Sequence, residues 1–203
     1  MKLAISLSLF FLAVIIHEYA HGWIAWKFGD PTARMAGRLT LNPIAHIDPV
    51  GTIVLPLILL ITHSPVLFGW AKPVPVDFRS LNNPKRDMIW VGLAGPGANI
   101  MLAIILSVIL RLTWITTSPF FMVIISSAII INLMLAVFNL LPIPPLDGSR
   151  VLMGILPRQL SAQYASMEPY GFIIIFGLLY LGVISRFVWP SVLFLAHLLG
   201  VGV

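Results

Sequence analysis

LAISLSLFFLAVIIHEYAHGWIAW, residues 3–26, decides how the chain is read. Residues 3–16 carry no charge, and the apolar pattern resumes at Trp23. The run has the length a helix needs to cross a bilayer, about 20 residues. Its interior holds His17-Glu18-Tyr19-Ala20-His21-Gly22. Residues four apart share a helix face, so His17 and His21 aim at one point, as a tetrahedral Zn²⁺ site requires. Glu18 borders that face, where it can take a proton from a water activated at the metal. The plain alternative is two buried, satisfied histidines and one paired glutamate. Ionisable groups at membrane depth are costly and are read as functional by default. Glu168 is the only other glutamate, and there are five histidines in all.

Bulk composition agrees with a membrane chain. Its 203 residues are 59% hydrophobic and 9% charged, with mean hydropathy +1.01. A soluble domain is nearer about 45–50% apolar and about 25% charged. Residues 1–203 therefore read as a single membrane domain. The absence of cysteine excludes disulfides and thiolate metal ligands. The net charge of +5 does not indicate nucleic acid, because the basic residues are scattered among loops. Met1-Lys2 before an apolar run resembles a signal peptide, but the run continues through HEYAHG, so the helix is retained.

The expected architecture is all-α and polytopic. About four full spans are expected, at residues 3–28, 88–110, 120–141 and 170–185. At 1.5 Å per residue the histidines fall roughly 20–27 Å along the first span, in the third of the hydrocarbon core nearest its C-terminal end. Arg38-Leu39-Thr40-Leu41 reads as a short membrane-associated β element. Asn42-Pro43 and Asp48-Pro49 are turn signals. His46 lies between them, a candidate for substrate contact set against the ordinary structural role of a lone loop histidine. Residues 51–63 are apolar but short, and read as a re-entrant segment. Pro73 and Pro75 favour an extended, stiff segment. Small residues at Ala94-Gly95-Pro96-Gly97-Ala98 allow close helix approach. Residues 113–119 can turn. Residues 191–203 read as a re-entrant or interfacial helix, or as part of a long bent one.

The third span ends in Asn139-Leu140-Leu141-Pro142-Ile143-Pro144-Pro145-Leu146-Asp147-Gly148. Three prolines in four positions cannot continue a helix. Unwound backbone near membrane depth is tolerated where it is buried or lines a cavity, so Asp147 should face a polar pocket. Charge tests the layout. If the first helix runs outside to inside and 51–63 dips and returns, nine of the twelve Lys and Arg lie inside. The same layout brings Asp147 to the face of the two histidines.

His17, His21 and Asp147 are the candidate ligands, with the fourth position open, as in catalytic rather than structural zinc sites. Glu18 is the candidate base. Asn139 can hydrogen-bond an oxyanion, hold a substrate strand, or tie two helices together. The extended residues 38–41 offer an edge to an unwound substrate.

These motifs resemble the site-2 protease family of intramembrane zinc metalloproteases. The likeness rests on His17 to Gly22 and Asn139 to Gly148. Gly37-Arg38-Leu39-Thr40-Leu41-Asn42-Pro43 with His46-Ile47-Asp48-Pro49, Gly69 to Pro75, and Ala94 to Asn99 are similar to the compact bacterial-type branch. The resemblance implies one Zn²⁺ per chain on His17, His21 and Asp147, with Glu18 as base and Asn139 positioning substrate. It implies a site reached from the cytosolic side of the membrane. The small size favours a multi-pass protein of a bacterial plasma membrane over an organellar one. The partners implied are transmembrane protein substrates and the lipid bilayer, with no nucleic acid. Relatives with a PDZ or nucleotide-sensing domain are larger; this chain has no room for one between its spans. The competing readings are a metal-handling membrane protein and a catalytically silent helix-binding adaptor. The base beside the ligands argues against both.

Overall fold

The computed structural model describes residues 2–63, 69–112 and 118–201. Helix α1 is Lys2–Lys27. It stops where Gly29 takes φ +105° and the Asp30 amide donates back to the Ala25 carbonyl, a left-handed helix end of the kind glycine favours. Asp30 is wholly buried. Its carboxylate accepts from the Thr32 amide at 2.9 Å, starting the short helix α2, Thr32–Met35. The same carboxylate accepts from the Asp77 amide at 2.8 Å.

A single 3-10 turn, Pro43–His46, and a π-helical turn, Pro49–Val54, lead into α3, Leu55–Ile61. Asn42 and Asp48 start these turns by accepting the amides two and three residues on. The Trp70 amide donates to the Gly51 carbonyl at 3.1 Å, and Thr52 Oγ1 donates to the Trp70 carbonyl at 2.8 Å. The backbone at residue 70 therefore lies beside that at residue 51.

The expected β element is not present: among the described residues there is no strand. Residues 38–41 form no ladder with another segment among the described residues. Their polar groups are used otherwise: the Arg38 amide donates to the Ala33 carbonyl, and the Thr40 carbonyl accepts from the buried His46 ring.

Helix α4, Pro84–Leu110, and helix α5, Pro119–Asn139, are the other two long apolar helices. Proline opens each, where the missing N–H costs nothing. The expected turn at 113–119 falls largely on residues 113–117, outside the described residues. After α5 come α6, Asp147–Ile155, and α7, Arg158–Ala165. A 3-10 turn, Glu168–Tyr170, then leads into α8, Gly171–Tyr180.

The fourth span expected at 170–185 straddles a break between two helices. The helix stops at Tyr180, Gly182 takes φ +70°, and the chain restarts as α9, Val183–Leu198, bent by 76°. Arg186 and Pro190 lie inside α9 rather than beyond a span. By length and composition the described residues hold three helices able to cross a membrane, or four if the bent pair is one span. That makes the chain an integral membrane protein.

Helices α1 and α5 both pack on α4, which also carries α6. One apolar cluster joins Ala103 of α4, Ile129 and Leu133 of α5, and Ile184, Val188 and Val192 of α9. A smaller one, Ala25, Leu81 and Val91, fastens the segment after residue 69 to the ends of α1 and α4.

Candidate metal centre

Helix α1 presents His17 and His21 toward α4, both buried. Asp147 reaches the same point from the first residue of α6. Its Oδ2 lies 3.0 Å from His17 Nε2 and 3.2 Å from His21 Nε2, and the two Nε2 atoms are 3.0 Å apart. Ligands about 2.0–2.1 Å from a tetrahedral ion stand roughly 3.3 Å from one another. The three atoms thus have the spacing of one face of such a shell.

Each imidazole is held from its far side. His21 Nδ1–H donates to the Val91 carbonyl at 2.7 Å, and a carbonyl can only accept. His17 Nδ1–H donates to Asn99 Oδ1 at 2.6 Å. The Asn99 amide is oriented by its own Nδ2, which donates to the Ala13 carbonyl at 3.1 Å and to Asn132 Oδ1 at 2.8 Å. Asn132 Nδ2 in turn donates to the Ala128 carbonyl. With each Nδ1–H committed behind its ring, the two Nε2 atoms are left to face each other and the carboxylate. Three such donor atoms in contact could hold a metal ion. The N, N, O donor set and the partners behind the rings suit zinc.

Glycine makes the approach of α4 possible. A Cβ on Gly95 would collide with the Nε2 atoms of both His17 and His21. A Cβ on Gly148 would collide with the carbonyls of Leu140 and Leu141, so only glycine lets α6 begin against the end of α5.

A cavity of about 320 Å³ opens beside these atoms. Glu18 and Asn139 line it with the three candidate ligands. Glu18 Oε2 accepts the Val74 amide at 2.8 Å. Asn139 Nδ2 donates to the Leu135 carbonyl at 3.0 Å, and its amide oxygen has no partner among the described residues. Arg150, one turn past Asp147, stands at the wall between the Phe78 ring and an ion pair with Glu168.

His46 lies elsewhere. It is wholly buried and does not line the cavity. Its Nε2–H donates to the Thr40 carbonyl at 2.8 Å, and its own carbonyl accepts the Lys72 amide at 2.9 Å.

Sequence reasoning did not assign Asn99, Asn132, Gly95 or Val74 to the centre. The signal open to it was a lone amide in an apolar run, four residues after Gly95, since polar side chains in spans hold helices together.

Residues 113–181 match the family model of peptidase family M50, a stretch that contains Asn139 and Asp147 but not HEYAHG. Relatives extend the likeness over most of the chain. It is 41% identical over 186 residues to "Putative zinc metalloprotease YwhC" of Bacillus subtilis, covering 86% of this chain and 80% of that one. It is 30% identical over 181 residues to "Putative zinc metalloprotease Rip2" of Mycolicibacterium smegmatis, covering 89% and 68%. "Zinc metalloprotease MJ0392" of Methanocaldococcus jannaschii is 24% identical over 156 residues, which is 77% of this chain and 35% of that one. No solved structure matches the chain.

Proposed function

The chain belongs to peptidase family M50, the site-2 protease family, and is a zinc metalloprotease; from that premise we propose that it hydrolyses peptide bonds within or near the transmembrane segments of other membrane proteins. The observation that carries the reading is the convergence of Asp147 with His17 and His21 on one point beside Glu18, the two histidines and Glu18 standing on a helix apolar enough to cross a bilayer.

His17, His21 and Asp147 hold the zinc ion. When bound, the ion supplies Lewis acidity, which polarises the scissile carbonyl and makes water nucleophilic near neutral pH. Glu18 accepts a proton from the attacking water as oxygen bonds to the carbonyl carbon. It then delivers that proton to the amine nitrogen as the C–N bond breaks. The free amide oxygen of Asn139 accepts a backbone N–H of the substrate strand, which must be unwound to expose its peptide bond. An unwound strand in lipid needs such partners for its freed polar groups. Residues 1–203 act as one catalytic unit. The site faces the cytosolic side of a bacterial plasma membrane, a reading supported by the basic residues of the 27–38 and 72–86 segments.

The test uses purified protein in detergent with a transmembrane substrate. Glu18→Gln should retain zinc and lose cleavage, whereas Asp147→Ala should lose both. Normal cleavage by Glu18→Gln overturns the base assignment. A zinc-replete wild type that cuts no transmembrane substrate overturns the protease reading in favour of an adaptor.

A further inference from the structure

Residues 72–77 cross the cavity wall as an extended strap, fastened at both ends. At one end the Arg38 guanidinium donates to the carbonyls of Lys72, at 2.7 Å, and Pro73, at 3.3 Å. The Lys72 amide is held by the His46 carbonyl. At the other end the Asp77 amide is held by buried Asp30. Between these anchors stands Pro73-Val74-Pro75. Proline has no N–H, so the triplet owns a single donor, the Val74 amide. That donor goes to Glu18 Oε2 at 2.8 Å. The Val74 side chain is buried and seats on α1 at Gly22, one turn past Glu18, where a Cβ would come within 2.7 Å of Val74 Cγ1. Glu18 Oε1 accepts no hydrogen bond from the described residues.

We infer that the strap positions the base: the Val74 N–H, held in place by Arg38, fixes the Glu18 carboxylate so that Oε2 is committed and Oε1 is the oxygen that handles the proton. The Glu18 side chain has three rotatable bonds, and among the described residues the Val74 amide is the hydrogen-bond donor that holds its carboxylate. One fixed donor removes that freedom before substrate arrives. Placing Pro on both sides of Val74 keeps the neighbouring backbone from competing for the carboxylate, and it stiffens the strap so that its donor stays aimed. Arg38 therefore acts on the chemistry through two carbonyls and one amide, without touching substrate. This rests on the reading of Glu18 as the base.

The experiment measures kcat, KM and zinc stoichiometry of the full chain in detergent, on one transmembrane substrate. The variants are Val74→Pro, which deletes the N–H, and Val74→Ala, which keeps it. Arg38→Met and Arg38→Lys form the second pair. Val74→Pro should keep its zinc and its KM while kcat falls on the order of 10–100-fold, the scale of a misplaced catalytic group. Val74→Ala should exceed Val74→Pro in kcat by roughly tenfold. Arg38→Met should lower kcat, and Arg38→Lys should recover part of the loss. Wild-type kcat in Val74→Pro overturns the inference, as do equal losses in the proline and alanine variants, which would assign the effect to packing. A raised kcat shows that the strap obstructs rather than positions. Loss of zinc in Val74→Pro, with Arg38→Lys no better than Arg38→Met, makes the strap merely structural. If Glu18→Gln cleaves normally, the base assignment falls and the inference with it. A dead Glu18→Gln beside an unimpaired Val74→Pro overturns the inference alone.

Discussion

His17 Nε2 and Asp147 Oδ2 lie 3.0 Å apart across 130 residues of chain. Their meeting depends on α4, which stands between the helices that carry them. Gly95 leaves room for the imidazoles on one side of α4. At Gly92, one turn earlier, a Cβ would stand 3.1 Å from the Asp147 carbonyl and 3.2 Å from the Arg150 Cβ. The centre is thus a gap in a helix face rather than a loop wrapped around an ion.

Gly95→Ala tests that gap. The new methyl occupies the space in front of both Nε2 atoms. Overpacking of this kind costs about 1–3 kcal/mol. Zinc affinity should fall on the order of 10–100-fold, read by chelator competition on the purified protein. Gly97→Ala is the control, because a Cβ there meets nothing within 4 Å.

Asn99 tests the support behind His17. Asn99→Leu leaves the buried Nδ1–H without a partner and frees the ring to turn. Loss of such an outer partner costs about 10–100-fold in metal affinity. Asn99→Asp keeps an acceptor for Nδ1–H and should bind zinc more tightly than Asn99→Leu. The absorption spectrum of a cobalt-substituted protein should shift in Asn99→Leu and return toward wild type in Asn99→Asp. Equal affinities for the two variants would mean that the amide only fills space.

Acidification should release the metal. Histidine binds zinc only as the neutral ring and aspartate only as the carboxylate, so protons compete for every ligand. Affinity should therefore fall steadily as the solution is made more acidic. Zinc stoichiometry after dialysis from neutral to acidic pH gives the profile, and restoring neutral pH with zinc should restore cleavage.

The absence of native cysteine makes the orientation easy to test. Arg79 and Arg111 are both exposed, and the proposed layout puts them on opposite sides of the membrane. Arg79→Cys should react with an impermeant maleimide from the cytosolic side alone, and Arg111→Cys from the other. The reverse pattern would invert the protein, and labelling of both from one side would break the proposed crossing order.

Residues 3–26 were enough to call for a spanning helix with two histidines on one face, because apolar length and the 3.6-residue repeat are local properties of a chain. The prolines before Asp147 were likewise enough to place an unwound segment after a span. Hydropathy stops there, since every face of a lipid-embedded helix is apolar and none advertises which neighbour it meets. The Asn99–Asn132 pair, the clearance at Gly95 and the Val74 donor on Glu18 came only from how the helices pack. So did the replacement of the expected strand by an unpaired segment at residues 38–41, and the 76° break at Gly182 where a continuous span was expected. Partners chosen across tens of residues leave no period in the sequence; they are selected by distance, once the helices are side by side.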